Sequence, residues 1–307
     1  MDLGGSRQRM GFVGVTTGSS SIMRIFPLWA DELELPTRSL QGHDVPLDSP
    51  PETYRALLRA MRDDEDYLGA LVTTHKLSVY AGAGDLFDEI DDFGRLCAEV
   101  SSISKRDGLL LGHAKDPITA DLAMREFIPE GYFSGAGAEV LCLGSGGAAA
   151  TITWCLAGRA DVPARILCTD INQDRLDHIA TVHRDGALPP ELFAYELVSG
   201  AADPLLAGLP TGSLVINATG LGKDRPGSPL SSAATYPQDS IVWELNYRGS
   251  LETLSDARRQ EQKRGLRIVD GWRYFIHGWT QVIGEVFDVE MTPEKVQRLS
   301  EIAVATN

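Results

Sequence analysis

A glycine-rich turn between an apolar strand and a helical stretch constrains the fold of this chain more than any other segment. Residues 138–143 read AEVLCL, and they are followed by Gly144-Ser145-Gly146-Gly147 and the helical pattern AAATITWCLAG. Such a turn lets the backbone approach a pyrophosphate, with helix N–H groups and the helix dipole facing the anion. The alternative interpretation is a tight strand–helix turn that binds no ligand.

Four more apolar runs follow, at residues 164–168, 213–216, 240–245 and 266–269, with helical patterns between them. Continuous apolar strands that alternate with helices predict a parallel sheet covered by helices on both faces. Residues 119–272 are therefore predicted to form a Rossmann-type, doubly wound α/β domain that binds a dinucleotide.

The rest of the chain predicts a second α/β domain. Its predicted strands are residues 10–15, 37–40 and 67–73, and its predicted helices are residues 22–33, 51–62, 273–287 and 293–303. We assign residues 1–118 and 273–307 to this domain, and only the family resemblance of its motifs, given below, implies that it binds substrate and carries the catalytic groups. A helix over residues 119–127, with Thr119 as its N-cap, is expected to join the two domains.

An acidic residue closes the strand after the glycine turn, and it bears on the choice of cofactor. Asp170 lies 26 residues beyond Gly144, where a carboxylate can accept hydrogen bonds from a ribose 2′-OH and repel a 2′-phosphate. This position predicts NAD as the cofactor. Arg175 keeps NADP open because a nearby arginine can accommodate the phosphate, and a third reading makes Asp170 only the cap of the next helix.

The charge of the chain excludes two classes of partner. With 28 Lys and Arg against 43 Asp and Glu, the net charge of −15 repels phosphate backbones and anionic lipid, so neither nucleic acid nor a membrane surface is an expected partner. The sequence contains no apolar run of membrane-helix length and no signal-peptide pattern at its N-terminus, which predicts a cytoplasmic protein. The four widely spaced cysteines predict buried thiols rather than a metal site.

Seven short segments occur in the order typical of a known enzyme family. They read GALVTTHK at 69–76, EVSS at 99–102, AKD at 114–116, GSGGA at 144–148, NAT at 217–219, NYRG at 246–249 and DGWRYFIHG at 270–278. In these segments the chain resembles the shikimate/quinate dehydrogenase family. The resemblance implies an NAD(P)-dependent oxidoreductase of aromatic amino acid biosynthesis that acts on a small hydroxylated cyclic acid, as a monomer or homodimer.

The resemblance also implies roles for individual residues. Lys76 would be the general acid/base and Asp116 its partner, although a solvated surface lysine and a helix-start carboxylate are the ordinary readings of these two. The implied substrate contacts are Ser20, Ser21, Thr73, Ser101, Tyr247 and Gln281. The implied cofactor contacts are Gly144, Ser145, Gly146, Gly147, Ala148, Asp170, Asn172, Arg175, Asn217, Ala218 and Thr219.

The substrate shell departs from the family pattern. Two family asparagines are replaced by Ser101 and Ala114, and the glutamine of the last motif falls on Gly278, with Gln281 one turn further on. A proline before the catalytic lysine is absent, and a charged His75 could depress the pKa of Lys76. Because a buried hydroxyl without a partner costs about 1–3 kcal/mol, the substrate's hydroxyl pattern is expected to differ. An aminated or deoxygenated carbocycle is one alternative, and a ligand-sensing module without turnover is another.

Overall fold

The computed structural model describes residues 7–135, 137–223 and 225–306 and divides into two compact units. The chain up to Lys115 and from Ile276 onward forms the first unit, and Asp116–Phe275 forms the second. The sequence prediction divides the chain after residues 118 and 272 instead. Residues 1–6, which belong to the N-terminal stretch interpreted as lacking a signal peptide, lie outside the described residues.

Most helices and strands of the first unit precede residue 115. They are β1 (Arg9–Gly14), α1 (Ile22–Glu32), β2 (Leu40–Asp44), α2 (Pro51–Asp63), β3 (Tyr67–Val72), α3 (Lys76–Ala83), β4 (Glu89–Ile90), α4 (Asp92–Cys97), β5 (Ser102–Arg106) and β6 (Leu109–His113). The sheet order is β2-β1-β3-β5-β6-β4, in which β1 pairs in parallel with β2 and β3 while β5 is antiparallel to β3 and β6. Tyr54, Leu58 and Met61 of α2 belong to the apolar core beside this sheet.

The second unit contains six parallel strands. Its elements are α5 (Asp116–Arg125), β7 (Val140–Leu143), α6 (Gly147–Ala157), β8 (Ile166–Asp170), α7 (Gln173–Asp185), β9 (Phe193–Leu197), α8 (Asp203–Ala207), β10 (Leu214–Asn217), β11 (Ile241–Glu244), α9 (Glu252–Arg258), α10 (Glu261–Arg264) and β12 (Arg267–Val269). The chain then continues into α11 (Trp272–Phe287), which crosses the boundary between the units, and α12 (Pro293–Thr306).

The strand order of the second sheet is that of a Rossmann fold. The order β12-β11-β10-β7-β8-β9 places the first strand of the unit in the middle, and every pair in it is parallel. Succession reverses between β7 and β10, and ligands of such sheets bind at the carboxyl ends of the strands beside this reversal. The predicted fold class, a doubly wound parallel sheet and a second α/β domain, is confirmed.

The helix predicted to begin after Thr119 begins earlier. Asp116 is the first residue of α5, and Thr119 is fully buried inside the helix, so its assignment as N-cap is wrong. Pro117 occupies the first turn, where the missing N–H of proline costs no helical hydrogen bond.

A hairpin in the first unit is absent from the sequence prediction. β5 and β6 are joined by Asp107-Gly108, and both residues have positive φ, 52° and 79°. An Asp-Gly pair between strand-forming stretches is a strong hairpin signal, so this element was available to sequence reasoning. The edge strand β2 also differs, since it begins at Leu40 where the predicted strand ends.

Within the described parts of the chain, no helix combines the length and apolar character that crossing a membrane requires.

Candidate functional site

Two glycines of the turn after β7, Gly144 and Gly146, have different surroundings. Gly144 has φ +94°, and a Cβ there would lie 2.9 Å from the carbonyl carbon and oxygen of Ala218. The N–H of Gly144 donates to the carbonyl of Thr169 at 2.8 Å. A Cβ on Gly146 would instead meet no atom within 4 Å. Gly144 is therefore needed by the fold, whereas the space beside Gly146 is open to a ligand at the N-terminus of α6.

Asp170 shapes the same turn from the neighbouring strand. One carboxylate oxygen accepts the N–H of Ser145 at 2.9 Å, and the other accepts the N–H of Asn172 at 3.0 Å. The residue is only 6% exposed, and Nη1 of Arg175 lies 4.0 Å from its carboxylate. Asn172 caps α7 through its side chain, which accepts the N–H of Asp174. The loop residues Gly147 and Ala148 lie in the first turn of α6.

The NAT segment at 217–219 is held by a glutamate that sequence reasoning missed. The side-chain carbonyl of Asn217 accepts the N–H and the hydroxyl of Thr219, at 3.1 and 2.7 Å. The amide nitrogen of Asn217 donates to Glu244 at 2.6 Å. Burial raises the pKa of Glu244 to about 7, against the opposing effect of hydrogen bonds from Asn246 and Asn217. A glutamate that ends an otherwise apolar strand is the sequence signal that marks it.

In the first unit, Lys76 opens helix α3 from a loop anchored by its neighbour. Nε2 of His75 lies 2.8 Å from the carbonyl of Val45, and Nδ1 lies 3.0 Å from the hydroxyl of Tyr54. Burial lowers the pKa of His75. The expectation that a charged His75 depresses the pKa of Lys76 is therefore wrong, because this ring is neutral at ordinary pH. Lys76 itself is half-buried, and its carbonyl accepts the N–H of Val100.

The serine loop before α1 is fixed by an acid on the edge strand. The N–H and hydroxyl of Thr17 both donate to one oxygen of Asp44, at 2.7 and 2.6 Å. These bonds hold the pKa of Asp44 below its usual value. Ser20 is buried, and Ser21 is the residue before α1, with no side-chain capping bond. The loop is thus fixed at Thr17, three residues before the first predicted substrate contact, Ser20.

Ser101 makes hydrogen bonds within the first unit. Its hydroxyl accepts the N–H of Lys115 at 2.7 Å and donates to the carbonyl of His113 at 3.4 Å. Ala114 is fully buried, and its N–H donates to Asp91. Ser101 and Ala114, the two positions at which a family asparagine is replaced, therefore carry no free hydroxyl donor. Nearby, Thr73 is half-buried and accepts the N–H of Thr74.

Asp116 and Tyr247 lie in the second unit. Asp116 is 5% exposed, and the hydroxyl of Tyr274 donates to it at 3.5 Å. The ring of Tyr247 packs against Trp272 and Phe275, with centroids 5.9 and 4.3 Å apart. The predicted substrate contact Tyr247 is thus a half-buried tyrosine packed within an aromatic cluster.

Gln281 lies on α11, in the part of this helix that belongs to the first unit. It lines a cavity of about 250 Å³ in the first unit, together with Arg106, Lys115 and Glu285. The carboxylate of Glu285 lies 2.5 Å from Lys115 and 2.8 Å from Arg106. Burial raises the pKa of Glu285, but the bond from Lys115 and the neighbouring positive charges outweigh this and leave it below its usual value. Neither Ser20 nor Thr73 lines this cavity.

The cysteines occupy apolar surroundings. Cys142 and Cys168 are fully buried on adjacent strands, and burial raises the pKa of Cys142 to about 12. Their thiols therefore stay protonated and unreactive. Among the residues that the structure describes, no group of three or more potential metal ligands is found.

Comparisons with known proteins find shikimate dehydrogenases among the proteins of similar sequence. No protein-family model matches the chain. A shikimate dehydrogenase (NADP(+)) of Methylobacterium radiotolerans is 29% identical over 248 residues, which cover 78% of this chain and 80% of that protein.

Solved structures share the fold over almost the whole chain. The quinate dehydrogenase of Corynebacterium glutamicum in complex with NAD has a TM-score of 0.73 at 18% identity and covers 97% of this chain and 99% of that one. The ligand-free 5-ketofructose reductase of Gluconobacter sp. strain CHM43 has a TM-score of 0.66 at 19% identity and covers 96% and 97%. At these identities the structural likeness concerns the fold alone.

Proposed function

This chain is a relative of the shikimate and quinate dehydrogenases, and we propose that it transfers a hydride between NAD(P) and a small hydroxylated cyclic acid. The observation that carries the proposal is the glycine turn at the reversal point of the parallel sheet. There Gly144 packs against Ala218, while the space beside Gly146 is open. This is the arrangement that a pyrophosphate group needs at a helix N-terminus.

The residues of the second unit fit such a cofactor. The half-buried Gly146, Gly147 and Ala148 at the start of α6 would face the pyrophosphate, and Thr219 lies across the turn from them. When bound, the nicotinamide accepts or supplies the hydride of the reaction.

The proton of the reaction is assigned to Lys76. During alcohol oxidation, the carbon–hydrogen bond breaks with its electron pair leaving as hydride, and the hydroxyl proton moves to the lysine Nζ. Reduction of the ketone reverses both transfers. A half-buried lysine can carry out this exchange if its pKa is lowered, and Asp116 is proposed to orient it and share its proton.

The preferred cofactor follows from Asp170, and we propose NAD. The Asp170 carboxylate lies at the end of β8. There it would accept a hydrogen bond from a ribose 2′-hydroxyl, and it would repel a 2′-phosphate. The name of the curated relative from M. radiotolerans favours NADP instead, and Arg175 with its half-exposed side chain is the residue that would accept the phosphate. Initial rates with NAD and NADP at equal concentrations decide between them.

The substrate is proposed to be held by the serine loop and Thr73 in the first unit and by Tyr247 in the second. Ser20, Ser21 and Thr73 would receive the carboxylate and one hydroxyl. We propose a different role for Ser101, whose hydroxyl donor is already engaged by His113. Gln281 would contact substrate only if the substrate extends to the cavity that it lines.

The hydrogen bond of the Ser101 hydroxyl to His113 and the alanine at position 114 also favour a second substrate class. Because neither Ser101 nor Ala114 offers a free hydroxyl donor, a carbocycle that lacks hydroxyls at those points, or carries an amine instead, avoids the cost of unpaired groups. The solved structure from Gluconobacter, which has this fold, is named a 5-ketofructose reductase, and this name supports including ketosugars among the candidates. A panel of shikimate, quinate, their amino and deoxy analogues and ketosugars, followed by absorbance of the reduced nicotinamide, identifies the class.

Replacing Lys76 tests the chemistry. Lys76→Ala is expected to lower kcat by at least about a hundredfold while the dinucleotide Kd stays within about twofold, because a general acid/base contributes roughly 10²–10⁴. Lys263→Ala, at an exposed lysine of α10, is the matched control and should leave kcat unchanged. Full turnover by Lys76→Ala would disprove the assignment. Calorimetry that detects substrate but no dinucleotide would instead favour a ligand-sensing module.

A further inference from the structure

Five residues form a closed ring of hydrogen bonds at the carboxyl edge of the second sheet. Glu244 accepts the amide of Asn217 at 2.6 Å and the N–H of Asn246 at 2.8 Å. Asn217 accepts the hydroxyl of Thr219 at 2.7 Å, and that hydroxyl accepts the N–H of Leu221 at 3.1 Å. The amide of Asn246 donates to the carbonyl of Leu221 at 2.9 Å and closes the ring. We refer to these five residues as the Glu244 ring.

Within the Glu244 ring, the carboxylate of Glu244 faces only hydrogen-bond donors. The hydrogen bonds that Glu244 accepts come from N–H groups of Asn217 and Asn246, the side chain is 1% exposed, and no basic side chain pairs with it among the described residues. A protonated carboxyl would have to donate a hydrogen bond of its own, and it would then meet an N–H instead of an acceptor. The ring therefore fits the ionised form of Glu244 and not the protonated form.

The titratable groups around Glu244 lie near Tyr236. Tyr236, from the segment before β11, is the group that the charge of Glu244 affects, and its hydroxyl donates to the carbonyl of Thr253. Asp203 of α8 and the ion pair of Asp256 with Arg259 beside α9 act on Tyr236 in turn. Burial raises the pKa of Tyr236 far above neutrality, so this tyrosine stays uncharged around pH 7.

The Glu244 ring also forms one wall of the glycine turn. A Cβ on Gly144 would lie 2.9 Å from the backbone nitrogen of Thr219, and the N–H of Ala218 donates to the carbonyl of Leu143. The orientation of the Asn217 amide, which points its nitrogen at Glu244 and its oxygen at Thr219, keeps this wall in place. If the amide turned over to accept from a protonated Glu244, its nitrogen would face the N–H of Thr219.

We propose that ionised Glu244 is a positioning residue for the dinucleotide site, which it holds in shape through Asn217 and Thr219. The inference rests on the proposed function, because it assumes that a dinucleotide binds at the Gly144 turn. Since only the ionised form fits the ring, dinucleotide binding releases a proton from the protonated fraction of the protein, and the affinity falls as pH falls.

The size of the effect follows from the fraction of protein in the ionised form. With a group that titrates near pH 7, about one tenth of the molecules are ionised at about pH 6, so the apparent Kd for the dinucleotide should be about tenfold weaker there than at about pH 8.5. At neutral pH, calorimetry in buffers of different ionisation enthalpy should detect the release of a fraction of a proton on binding.

The test is the Kd of the reduced dinucleotide, followed by its fluorescence, for the full chain from about pH 6 to about pH 8.5. Glu244→Gln retains the shape but places an amide donor against Asn217 or Asn246, so we expect a weak Kd that does not change with pH and a raised cofactor KM with kcat within twofold. Glu244→Asp, which keeps a carboxylate, should restore a pH-dependent Kd. Glu261→Gln, at an exposed position of α10, is the matched control and should follow the wild type.

The outcomes separate the inference from the proposed function. A wild-type Kd that does not change with pH, or a Glu244→Gln profile that follows the wild type, overturns the role of Glu244 and leaves the proposed function intact. The wild-type profile decides this even if the glutamine variant does not fold. Wild-type protein that binds no dinucleotide at any pH overturns the proposed function, and this inference with it.

Discussion

The backbone N–H of Lys115 donates to the hydroxyl of Ser101 at 2.7 Å, and this bond ties the residue before β5 to the segment that follows β6. Ser101 is 2% exposed, and the resemblance to the family predicts it as a substrate contact. Its hydroxyl also donates to the carbonyl of His113. The side chain therefore satisfies backbone groups of its own unit before it can reach a ligand.

Replacing Ser101 should affect folding more than substrate binding. We expect Ser101→Ala to lower the free energy of unfolding by about 1–2 kcal/mol, because it leaves the N–H of Lys115 without its acceptor, and to change the substrate KM by less than about threefold. Ser102→Ala is a matched control, since the fully buried hydroxyl of Ser102 has no hydrogen-bond partner in the structure and its removal should be neutral or stabilising. Denaturant titration and steady-state kinetics measure both, and a large rise in KM with unchanged stability would restore Ser101 to the substrate shell.

Two glycines of the cofactor turn should respond differently to alanine. Gly144→Ala forces a side chain onto a residue with φ +94° and against the backbone of Ala218, so we expect a loss of about 2 kcal/mol or more in the free energy of unfolding. Gly146→Ala has room for its methyl group and should unfold like the wild type, yet weaken dinucleotide binding by filling the space beside the helix N-terminus. Thermal melts and dinucleotide titrations distinguish the two. Equal binding by Gly146→Ala and the wild type would place the pyrophosphate elsewhere.

These two glycines mark how far sequence reasoning reaches into the site. The turn, the strand before it and the acid at Asp170 are local patterns, and each lies where the pattern predicts it. Glu244 escapes such reasoning because its partner, Asn217, is 27 residues away and meets it only through the register of β10 and β11. The hydrogen bonds of Ser101 also escape sequence reasoning, because its partners are backbone groups of His113 and Lys115 and every residue type has such groups.

The first sheet was harder to predict for a different reason. The inner strands of the second sheet, β7, β8, β10 and β11, are buried on both faces, so they appear as apolar runs such as VLCL in β7. β5, SISKR, and the edge strand β2, LQGHD, contain polar residues throughout, and their pairing partners supply the stability that their composition does not indicate. The local signal that remained was the Asp107-Gly108 turn.

His183 should make the second unit sensitive to acid. Its ring stacks on Phe193 at 3.9 Å and bonds to the hydroxyls of Thr153 and Tyr195, and burial lowers its pKa to about 4. An unfolded histidine titrates near 6.5, so the unfolded state binds a proton first as the pH falls. The stability from neutral His183 is therefore complete above about pH 6.5 and is lost towards about pH 4, by about 3 kcal/mol in total.

Denaturant titrations across that pH range check this prediction. His183→Gln should be less stable than the wild type at neutral pH and should lose less stability on acidification. His178→Gln, at a half-buried position of the same helix, is the control, and its free energy of unfolding should fall with pH as that of the wild type does. If His183→Gln and the wild type lose stability in parallel, the acid sensitivity originates in other groups.

Tyr54 should influence catalysis through His75, although it is buried in the core of the first unit. Its hydroxyl donates to Nδ1 of His75, the opposite nitrogen of which donates to Val45, so the ring and the backbone that leads into Lys76 are held from both sides. Tyr54→Phe removes one of these bonds and should cost about 1 kcal/mol of folding free energy. Because Lys76 follows directly, we expect kcat to fall by about tenfold while the substrate KM changes little. Tyr80→Phe, which alters a tyrosine of α3 whose hydroxyl makes no hydrogen bond among the described residues, should leave kcat unchanged. Loss of stability with an unaltered kcat would show that His75 supports the fold alone and does not position the lysine.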